Sequence, residues 1–318
     1  MNESTYVVKE KSYWHVKRYN FIYELKKNWF LYALLVPFVV WFLLFSYRPL
    51  IGLQAAFKDY DILLGLQDSE WVGLAHFKEF FGSEYFLRTL KNTLIINIYA
   101  LVFGFPAPII LALLLNEIKN ANYKKVIQTM TYLPHFISIV VIVQIVTSFL
   151  SPSTGLLNLL IEKFGGERIY FLIKPEYFRT IYTTMNIWKE IGFGAVVYIA
   201  ALSGIDPQLY EAAEIDGAGK MKQMWHITIK SILPTIMIML ILKVGMLLNV
   251  GFETIILMYQ PATYETADVI SSYVYRLGIQ QGRYDIATAV GLANSLVAVL
   301  LVYTTNKISK KYTETGIW

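Results

Sequence analysis

The sequence predicts an all-α polytopic membrane protein with six transmembrane helices. Of its 318 residues, 56% are hydrophobic and only 16% are charged, whereas charged residues make up about 25% of a typical soluble domain. Six apolar runs are each close to or longer than the roughly 20 residues that a helix needs to cross a bilayer. Lys and Arg residues concentrate in alternate connections between these runs, as they do in multi-pass membrane proteins.

The six predicted spans follow one another along most of the chain. The first is too long for the apolar core of a cleavable signal peptide, and no small-residue cleavage site follows it, so we expect it to remain in the protein. Pro106 and Pro108 in the second span and Pro134 in the third should bend those helices and mainly shape their packing. In chain order the spans lie at residues 29–47, 92–115, 126–150, 180–203, 231–258 and 285–305.

The distribution of basic residues predicts the orientation of the spans. Lys is dense in the tail at residues 1–28, in the connections before the third and fifth spans, and in the tail at residues 306–318. In the other connections acidic residues match or outnumber basic ones. Because Lys and Arg mark the cytoplasmic side, we expect both tails to be cytoplasmic in a bacterial cell membrane. The net charge of +5 then reflects topology rather than binding to nucleic acid.

The connection at residues 206–230 has the most distinctive pattern. Asp206 suits a helix N-cap and Pro207 suits the first helical position, so a short helix should run to about Ile215. Two nearby glycines should end it, and a second, amphipathic short helix should follow at the membrane face. A helix, a glycine turn and another helix between two spans form a rigid lever, which suits the transfer of motion from a cytoplasmic partner.

Several segments resemble one family of membrane proteins. The triplet Glu211-Ala212-Ala213 followed by Gly217 is similar to the EAA loop of ABC-importer permeases, and YEAAEIDGAGKMKQMWHITIKSILPTI resembles their carbohydrate-uptake branch. The chain departs from this motif at Lys230, where proline is usual. The sequence therefore does not determine whether the chain bends before the fifth span. Five more segments resemble the longer oligo- and polysaccharide permeases of the alginate and LplB types: FKDYDILLGLQDSEWVGLAHFKEFF, NTLIIN, YLPHFIS, NIWKEIGFGAVVYIAALSGI and VISSYVYRLGIQQGRYDIATAVGL.

The resemblance implies a fold, partners and residue roles. It implies the fold of a type I ABC-importer permease, with a six-span domain at residues 29–305 that forms half of a path for oligosaccharides. The implied partners are a second homologous permease, two ATPase subunits that bind ATP and Mg, and an extracellular solute-binding protein. The chain itself would not be an enzyme, and the sequence does not name the sugar. The residues implied to couple the loop to the ATPase are Glu211, Ala212, Ala213, Asp216, Gly217 and Gly219.

Polar residues inside the spans suggest a substrate path. A charged residue in the centre of a membrane helix costs about 2.5–3.5 kcal/mol on insertion scales, so such residues need a reason. One hypothesis is a polar path for sugar, in which Trp188 or Tyr198 would stack on a sugar face. The alternative is that Lys189 and Glu190 neutralise each other or pair with a partner subunit. The candidate path residues are Asn186, Trp188, Lys189, Tyr198, Lys243, Asn249 and Glu253.

Other functions lack their usual signals in this sequence. There is no cysteine and the four histidines have no ligand spacing, so we expect no metal site. The pair Gly219-Lys220 lacks the glycine that a phosphate-binding loop needs at position 214, so we expect this chain to bind no ATP or other cofactor. An ion-coupled secondary sugar transporter would need intramembrane acids or inverted repeats, and a membrane enzyme would need paired carboxylates. A permease for a non-sugar solute also remains an alternative.

Overall fold

The computed structural model describes residues 26–313 and residue 316. Most of the predicted N-terminal tail, residues 1–25, and four residues of the C-terminal tail therefore lie outside the described residues. The chain divides into two structural units, Met1–Ala55 and Ala56–Trp318. Helices dominate the described residues of both, and in the second unit an antiparallel ribbon pairs β1 (Lys58–Asp59) with β2 (Glu70–Trp71).

The helices vary from single turns to spans of 30 residues. Short π-helical turns at Leu43–Tyr47, Ala100–Gly104, Met224–Thr228 and Arg276–Gln280 continue several of them. The α-helices of the described residues are α1 (Trp29–Phe42), α2 (Gly65–Asp68), α3 (Ala75–Gly82), α4 (Glu84–Tyr99), α5 (Pro106–Glu117), α6 (Ala121–Tyr132), α7 (Ile139–Phe149), α8 (Leu156–Lys163), α9 (Pro175–Ser203), α10 (Pro207–Ile215), α11 (Lys220–Gln223), α12 (Ile229–Gly245), α13 (Phe252–Met258), α14 (Tyr264–Ala267), α15 (Ile270–Tyr275) and α16 (Tyr284–Thr313).

Five of the six predicted membrane spans are confirmed as long apolar helices, and the third is a bent pair of shorter ones. Among the described residues, five continuous helices are long and apolar enough to cross a bilayer, and a bent pair brings the number to six. The bent pair is Ala121–Phe136 and Ile139–Phe149, which meet at 103° across a break at residues 137–138. Pro134 lies just before this break, in the 3-10 turn Leu133–Phe136 that ends the first helix of the pair. The five continuous spans are Trp29–Phe57, Glu84–Glu117, Pro175–Ser203, Lys220–Gly245 and Tyr284–Lys311.

The first unit consists, in its described part, of α1 and the helical turns that continue it. No side chain of α1 is buried, and the exposed ones include Trp29, Phe38 and Trp41. A helix that is apolar around its whole circumference suits lipid or another apolar surface rather than water.

The second and fifth spans differ from the apolar runs that predicted them. The second span starts at Glu84, about two helical turns before the predicted apolar run. These two turns carry several polar side chains, which the apolar pattern does not include. The fifth ends at Gly245, and a non-helical stretch then leads to α13. In that stretch the backbone N–H of Gly251 donates to the Tyr182 hydroxyl at 3.1 Å, so a side chain replaces the missing helical acceptor.

Helix α9 is the central element of the second unit. Along one half, Phe178, Tyr182 and Met185 lie in a buried apolar cluster with residues of α4, α7 and α13. Along the other half, Tyr198 and Leu202 lie in a second cluster with α5 and α12. This packing fixes the helix along nearly its whole length, so both of its ends are held in defined positions.

The two ends of α9 are far apart. With 29 residues at 1.5 Å each, the helix is about 43 Å long, which exceeds the hydrocarbon thickness of a bilayer. At its start the Thr266 hydroxyl donates to the carbonyl oxygen of Pro175 at 2.6 Å, which ties α14 to this end. At its end, Ser203 leads into the connection with α10. The α14 segment and α10 therefore lie at opposite ends of the unit.

Candidate functional site

Helix α10 begins as the sequence predicts. The Asp206 carboxylate accepts the backbone N–H of Gln208 at 2.9 Å, and Pro207 occupies the first helical position. The N-cap satisfies one of the N–H groups that a helix start leaves unpaired, and proline has no N–H to lose there. The helix runs to Ile215, which confirms the predicted end.

The end of α10 depends on one glycine. Gly217 has φ +74°, a left-handed conformation that costs a residue with a side chain about 1–2 kcal/mol. The amide of Ala218 donates to the carbonyl of Ala213 at 2.8 Å, and that of Gly217 donates to Glu214 at 3.0 Å. These two bonds form a Schellman motif, which satisfies the last carbonyls and turns the chain sharply.

Two side chains connect this turn to the following span. Gln223 is buried and donates from Nε2 to the carbonyl of Ala218 at 3.0 Å. The hydroxyls of Tyr210 and Thr228 lie 3.0 Å apart, which joins α10 to the π-helical turn. The predicted second short helix is therefore the start of the continuous span Lys220–Gly245. The helix passes through Lys230 without a break, so the chain has no hinge at the position where the family motif usually has proline.

Residues 206–230, which we call the coupling loop after the role that the sequence predicts for them, have their predicted coupling residues at the protein surface. No residue of α10 is buried. Glu211, Ala212, Asp216, Gly217 and Gly219 are exposed, and Ala213 is half-buried. Ile215 and Trp225 add large exposed apolar side chains nearby. The loop thus combines a rigid backbone with a surface that no described part of this chain covers.

Three of the predicted path residues meet in one cavity. Asn186, Lys243 and Asn249 line a space of about 220 Å³ between α4, α9 and α12, together with Tyr182 and Glu190. The cavity has both polar and apolar walls, as expected of a small-molecule site. Asn186 donates to the carbonyl of Tyr182 at 2.8 Å, which holds its amide in place.

Lys189 belongs to an ion pair within this chain. Its ammonium lies 2.6 Å from the Glu190 carboxylate, whose other oxygen lies 2.8 Å from Nδ1 of His135. The His135 ring stacks on Phe193, with ring centres 3.9 Å apart. This geometry agrees with the alternative in which Lys189 and Glu190 neutralise each other. Glu190 also lines the cavity, so it connects the ion pair to the cavity wall.

The remaining predicted path residues lie elsewhere. Trp188 lines a separate apolar hollow with Phe149 and Met185. Tyr198 is only 3% exposed and lies within the cluster around α5 and α12. Glu253 is exposed in the first turn of α13.

Two polar residues that the sequence prediction omitted lie next to the cavity. Asn249 also lines a second hollow of about 530 Å³, where Asn294 donates to it at 3.3 Å. In the same hollow, the side-chain oxygens of Asn294 and Ser271 are buried and have no protein partner. Buried polar atoms are normally hydrogen-bonded, so these two are available to a ligand or to water. The sequence contained one indication of Asn294, since a polar amide side chain is unusual within an apolar run such as the sixth.

The long apolar helices, the polar cavities between them and the exposed, rigid loop define the class of protein. It is a multi-pass membrane transport subunit. More specifically, the chain belongs to the family described as binding-protein-dependent transport system inner membrane component, whose family model matches residues 104–311.

Several known proteins are similar to this chain over nearly their full length. Protein LplB of Bacillus subtilis (strain 168) is 46% identical and covers 92% of this chain and 92% of its own length. The polygalacturonan/rhamnogalacturonan transport system permease protein YteP of the same organism is 44% identical, over 95% of this chain and 94% of its own. A crystal structure of a bacterial alginate ABC transporter, in complex with alginate pentasaccharide-bound periplasmic protein, matches with a TM-score of 0.86. That match has 51% identity and covers 92% of this chain and 98% of that one. These matches confirm the predicted permease fold and favour it over a secondary transporter.

Proposed function

We propose that this chain is the permease subunit of an ATP-driven type I importer for oligosaccharides. The observation with most weight is the exposed, capped loop at one end of a helix long enough to cross the bilayer. Permeases with carbohydrate substrates in their names, at 44% identity over nearly the whole chain, support the substrate class. The chain would form half of a path, completed by a second homologous permease.

The remaining partners follow from the same proposal. Two ATPase subunits would bind ATP and Mg, and an extracellular solute-binding protein would deliver the sugar. The alginate transporter, whose similar chain was solved with a sugar-loaded periplasmic protein, supports the last partner. The Lys-rich connections support a bacterial cell membrane location with both termini in the cytoplasm.

The coupling loop would transmit the motion of the ATPase. Closure of the ATPase dimer around ATP would move α10, and the Schellman turn and the bond between Tyr210 and Thr228 would pass that movement to the fifth span. Glu211 would provide polar contacts and Ala212 and Ala213 would allow close approach. Asp216, Gly217 and Gly219 would shape the turn beside the ATPase surface.

The cavity of Asn186, Lys243 and Asn249 would line the sugar path. Amide and ammonium groups can bind hydroxyl groups, and the apolar walls suit the faces of sugar rings. Asn294 and Ser271 would extend the path, since their oxygens are unpartnered. Lys189 would act through its pair with Glu190 rather than by direct contact.

Uptake by the assembled transporter in proteoliposomes tests this function. Oligosaccharide uptake should require ATP and binding protein, and should persist when a protonophore removes the ion gradient. Uptake that stops with the protonophore but continues without ATP would identify a secondary transporter. Uptake of another solute, with none of any oligosaccharide, would identify a non-sugar permease.

The same assay tests the path. Replacing Lys243 with Met should lower the rate of uptake, because the cavity loses its ammonium group. The matched variant Lys307→Met removes an exposed lysine near the end of α16 and should leave uptake unchanged. Equal rates in both variants would count against the cavity as the path.

A further inference from the structure

The connection between the first two spans contains a small hairpin with an exposed apolar turn. Strands β1 and β2 pair, and residues 60–69 form the turn between them. Three consecutive apolar side chains of this turn are largely exposed, with Ile62 at 65%, Leu63 at 90% and Leu64 at 57%. We call these three residues the apolar tip. A run of exposed apolar residues is unfavourable in water unless another surface covers it.

The hairpin lies at the end of the second unit opposite the coupling loop. His76 of α3 lies with Nε2 3.0 Å from the carbonyl oxygen of Lys58 in β1. Phe80, one turn further along α3, packs against Tyr273 of α15 with ring centres 5.7 Å apart. Helix α15 follows α14, which Thr266 ties to the start of α9. In the proposed orientation this end of the unit is extracellular.

The hairpin is rigid, so the tip has a fixed position. The Asp61 carboxylate accepts the backbone N–H of Leu63 at 2.7 Å, and the Ser69 hydroxyl accepts that of Asp61 at 3.2 Å. The rings of Phe57 and Trp71 stack with centres 5.6 Å apart at the base of the hairpin. A surface that is ordered before binding loses little conformational entropy when a partner covers it.

Carboxylates without ion-pair partners surround the tip. The hairpin at residues 58–71 has four acidic residues and one basic residue. In the part of the chain that the structure describes, Asp61, Asp68 and Glu70 are exposed and form no ion pair. The ammonium group of Lys58 donates to backbone carbonyls of the turn, and Arg283 pairs with two carboxylates outside the hairpin. The tip therefore lies within an excess of negative charge.

One acidic pair is unfavourable for the hairpin itself. Asp59 and Glu70 are directly opposite each other in the ribbon, and both are exposed. Like charges in this position destabilise an antiparallel pair. Arg283 interacts electrostatically with Asp59, but Glu70 has no ion-pair partner within residues 26–313. A basic surface placed against the hairpin would relieve this repulsion.

The combination of an apolar tip and carboxylates favours one kind of partner. Segments that enter a lipid surface usually have Lys or Arg beside their apolar residues. A permanent contact with a second permease would be large and mainly apolar. A small apolar centre with a charged rim suits a protein that binds and leaves, because the charges speed its approach.

We propose that the apolar tip and the carboxylates around it dock the extracellular solute-binding protein. The partner's surface would have an apolar depression for Leu63, surrounded by Lys or Arg residues that face Asp68 and Glu70. This inference rests on the proposed function. It adds the surface of this chain that meets the solute-binding protein, and the chemistry of the surface that it meets.

Binding of the purified solute-binding protein to the assembled transporter in lipid nanodiscs tests the tip. Leu63→Ser removes its most exposed side chain and should weaken binding at least about tenfold, since this is the size of the effect of burying one leucine. The control Phe164→Ser removes an 86% exposed ring from the connection between α8 and α9, and should bind as the wild type does. Wild-type binding in Leu63→Ser, or equal losses in both variants, would overturn the proposal.

Glu70→Gln separates docking from folding. The change removes the repulsion with Asp59, so hydrogen exchange at residues 58–71 should be no faster than in the wild type. Association should nevertheless slow at least about twofold and become less sensitive to salt, because a rim charge acts mainly on the association rate. The control Glu167→Gln, at an exposed position between α8 and α9, should change neither. An unchanged association rate in Glu70→Gln would overturn the proposal.

A reporter beside Leu63 identifies what covers the tip. The chain has no cysteine, so Ile62→Cys, in a complex whose other subunits are cysteine-free, takes one environment-sensitive fluorophore. Its emission should change when the solute-binding protein is added, and brominated phospholipid should not quench it. Quenching by the lipid would place the tip in the membrane and overturn the proposal. Failure of the two permeases to assemble in Leu63→Ser would place it between them and do the same.

Uptake separates this inference from the proposed function. If the wild-type complex imports oligosaccharide with ATP and the solute-binding protein, but Leu63→Ser binds that protein normally, the proposed function stands and the docking surface is wrong. If the solute-binding protein neither binds the wild-type complex nor increases uptake, both are wrong.

Discussion

At its N-terminal end α9 meets a buried polar network, whereas at its C-terminal end it leads into an exposed short helix. The first end contains Asp268, which is completely buried and accepts from Arg88 and Arg276. The second contains α10, in which no residue is buried. Both ends are polar, and both are rigid, but their rigidity has different origins.

The difference suggests a division of work along one helix. Side chains from segments far apart in sequence hold the N-terminal end, so it should resist local opening. Backbone caps and one hydroxyl pair hold the C-terminal end, which keeps its surface available to a partner. A loop of this kind can transmit a push while the bundle end opposite it stays fixed.

The largest expected effect is at the buried network. Asp268→Asn leaves two guanidinium groups without a compensating charge and should lower the free energy of unfolding by about 3–5 kcal/mol. Denaturant unfolding of the purified chain in detergent measures this. The matched change at the exposed end, Asp216→Asn, should stay within about 0.5 kcal/mol of the wild type. Similar losses in both variants would remove the contrast between the two ends.

A smaller effect is expected at the Schellman turn. Gly217→Ala places a side chain at φ +74°, and should destabilise the turn by about 1–2 kcal/mol. Hydrogen exchange at residues 212–218 should become faster by about tenfold, since tenfold corresponds to about 1.4 kcal/mol. Gly219→Ala is the control, because its φ of −69° and open surroundings accept a methyl group. Exchange that is unchanged in Gly217→Ala would show that the turn does not depend on glycine.

The smallest effect concerns the hydroxyl pair. Tyr210→Phe removes the contact with Thr228 and should cost about 1 kcal/mol or less. Exchange in α10 should increase while global unfolding stays nearly constant. Tyr123→Phe, at an exposed tyrosine of α6, should alter neither. Faster exchange throughout the fifth span in Tyr210→Phe would mean that this contact supports the bundle rather than α10.

Local patterns predicted the membrane spans, the short helix α10 and the glycine turn that ends it. The apolar runs predicted the spans, because any helix needs about 20 mostly apolar residues to cross the hydrocarbon core of a bilayer. Asp206, Pro207 and Gly217 predicted α10 and its end, because caps and left-handed glycines act over a few residues. Three spans differ from the apolar runs. The second extends and the fifth ends where polar side chains meet distant segments, and the third is bent by 103°.

The buried network around Asp268 and the cavity of Asn186, Lys243 and Asn249 depend on contacts between segments that are far apart in sequence, which sequence patterns do not encode. Arg88 and Asp268 are 180 residues apart and meet only in the fold. Trp188 and Tyr198 lie on the same helix as Asn186 but outside its cavity. The side of α9 on which each residue lies determines whether it faces the cavity. The packing of the neighbouring helices determines where the cavity forms.

The coupling role of the exposed loop is tested most directly by ATP hydrolysis in the assembled transporter. Glu211→Lys reverses an exposed charge on α10, and Glu167→Lys makes the same change at an exposed position between α8 and α9. With binding protein and sugar present, Glu211→Lys should lower stimulated hydrolysis at least about tenfold, which corresponds to a loss of about 1.4 kcal/mol. The control should hydrolyse ATP as the wild type does. Wild-type stimulation in Glu211→Lys would contradict the assignment of α10 as the coupling element.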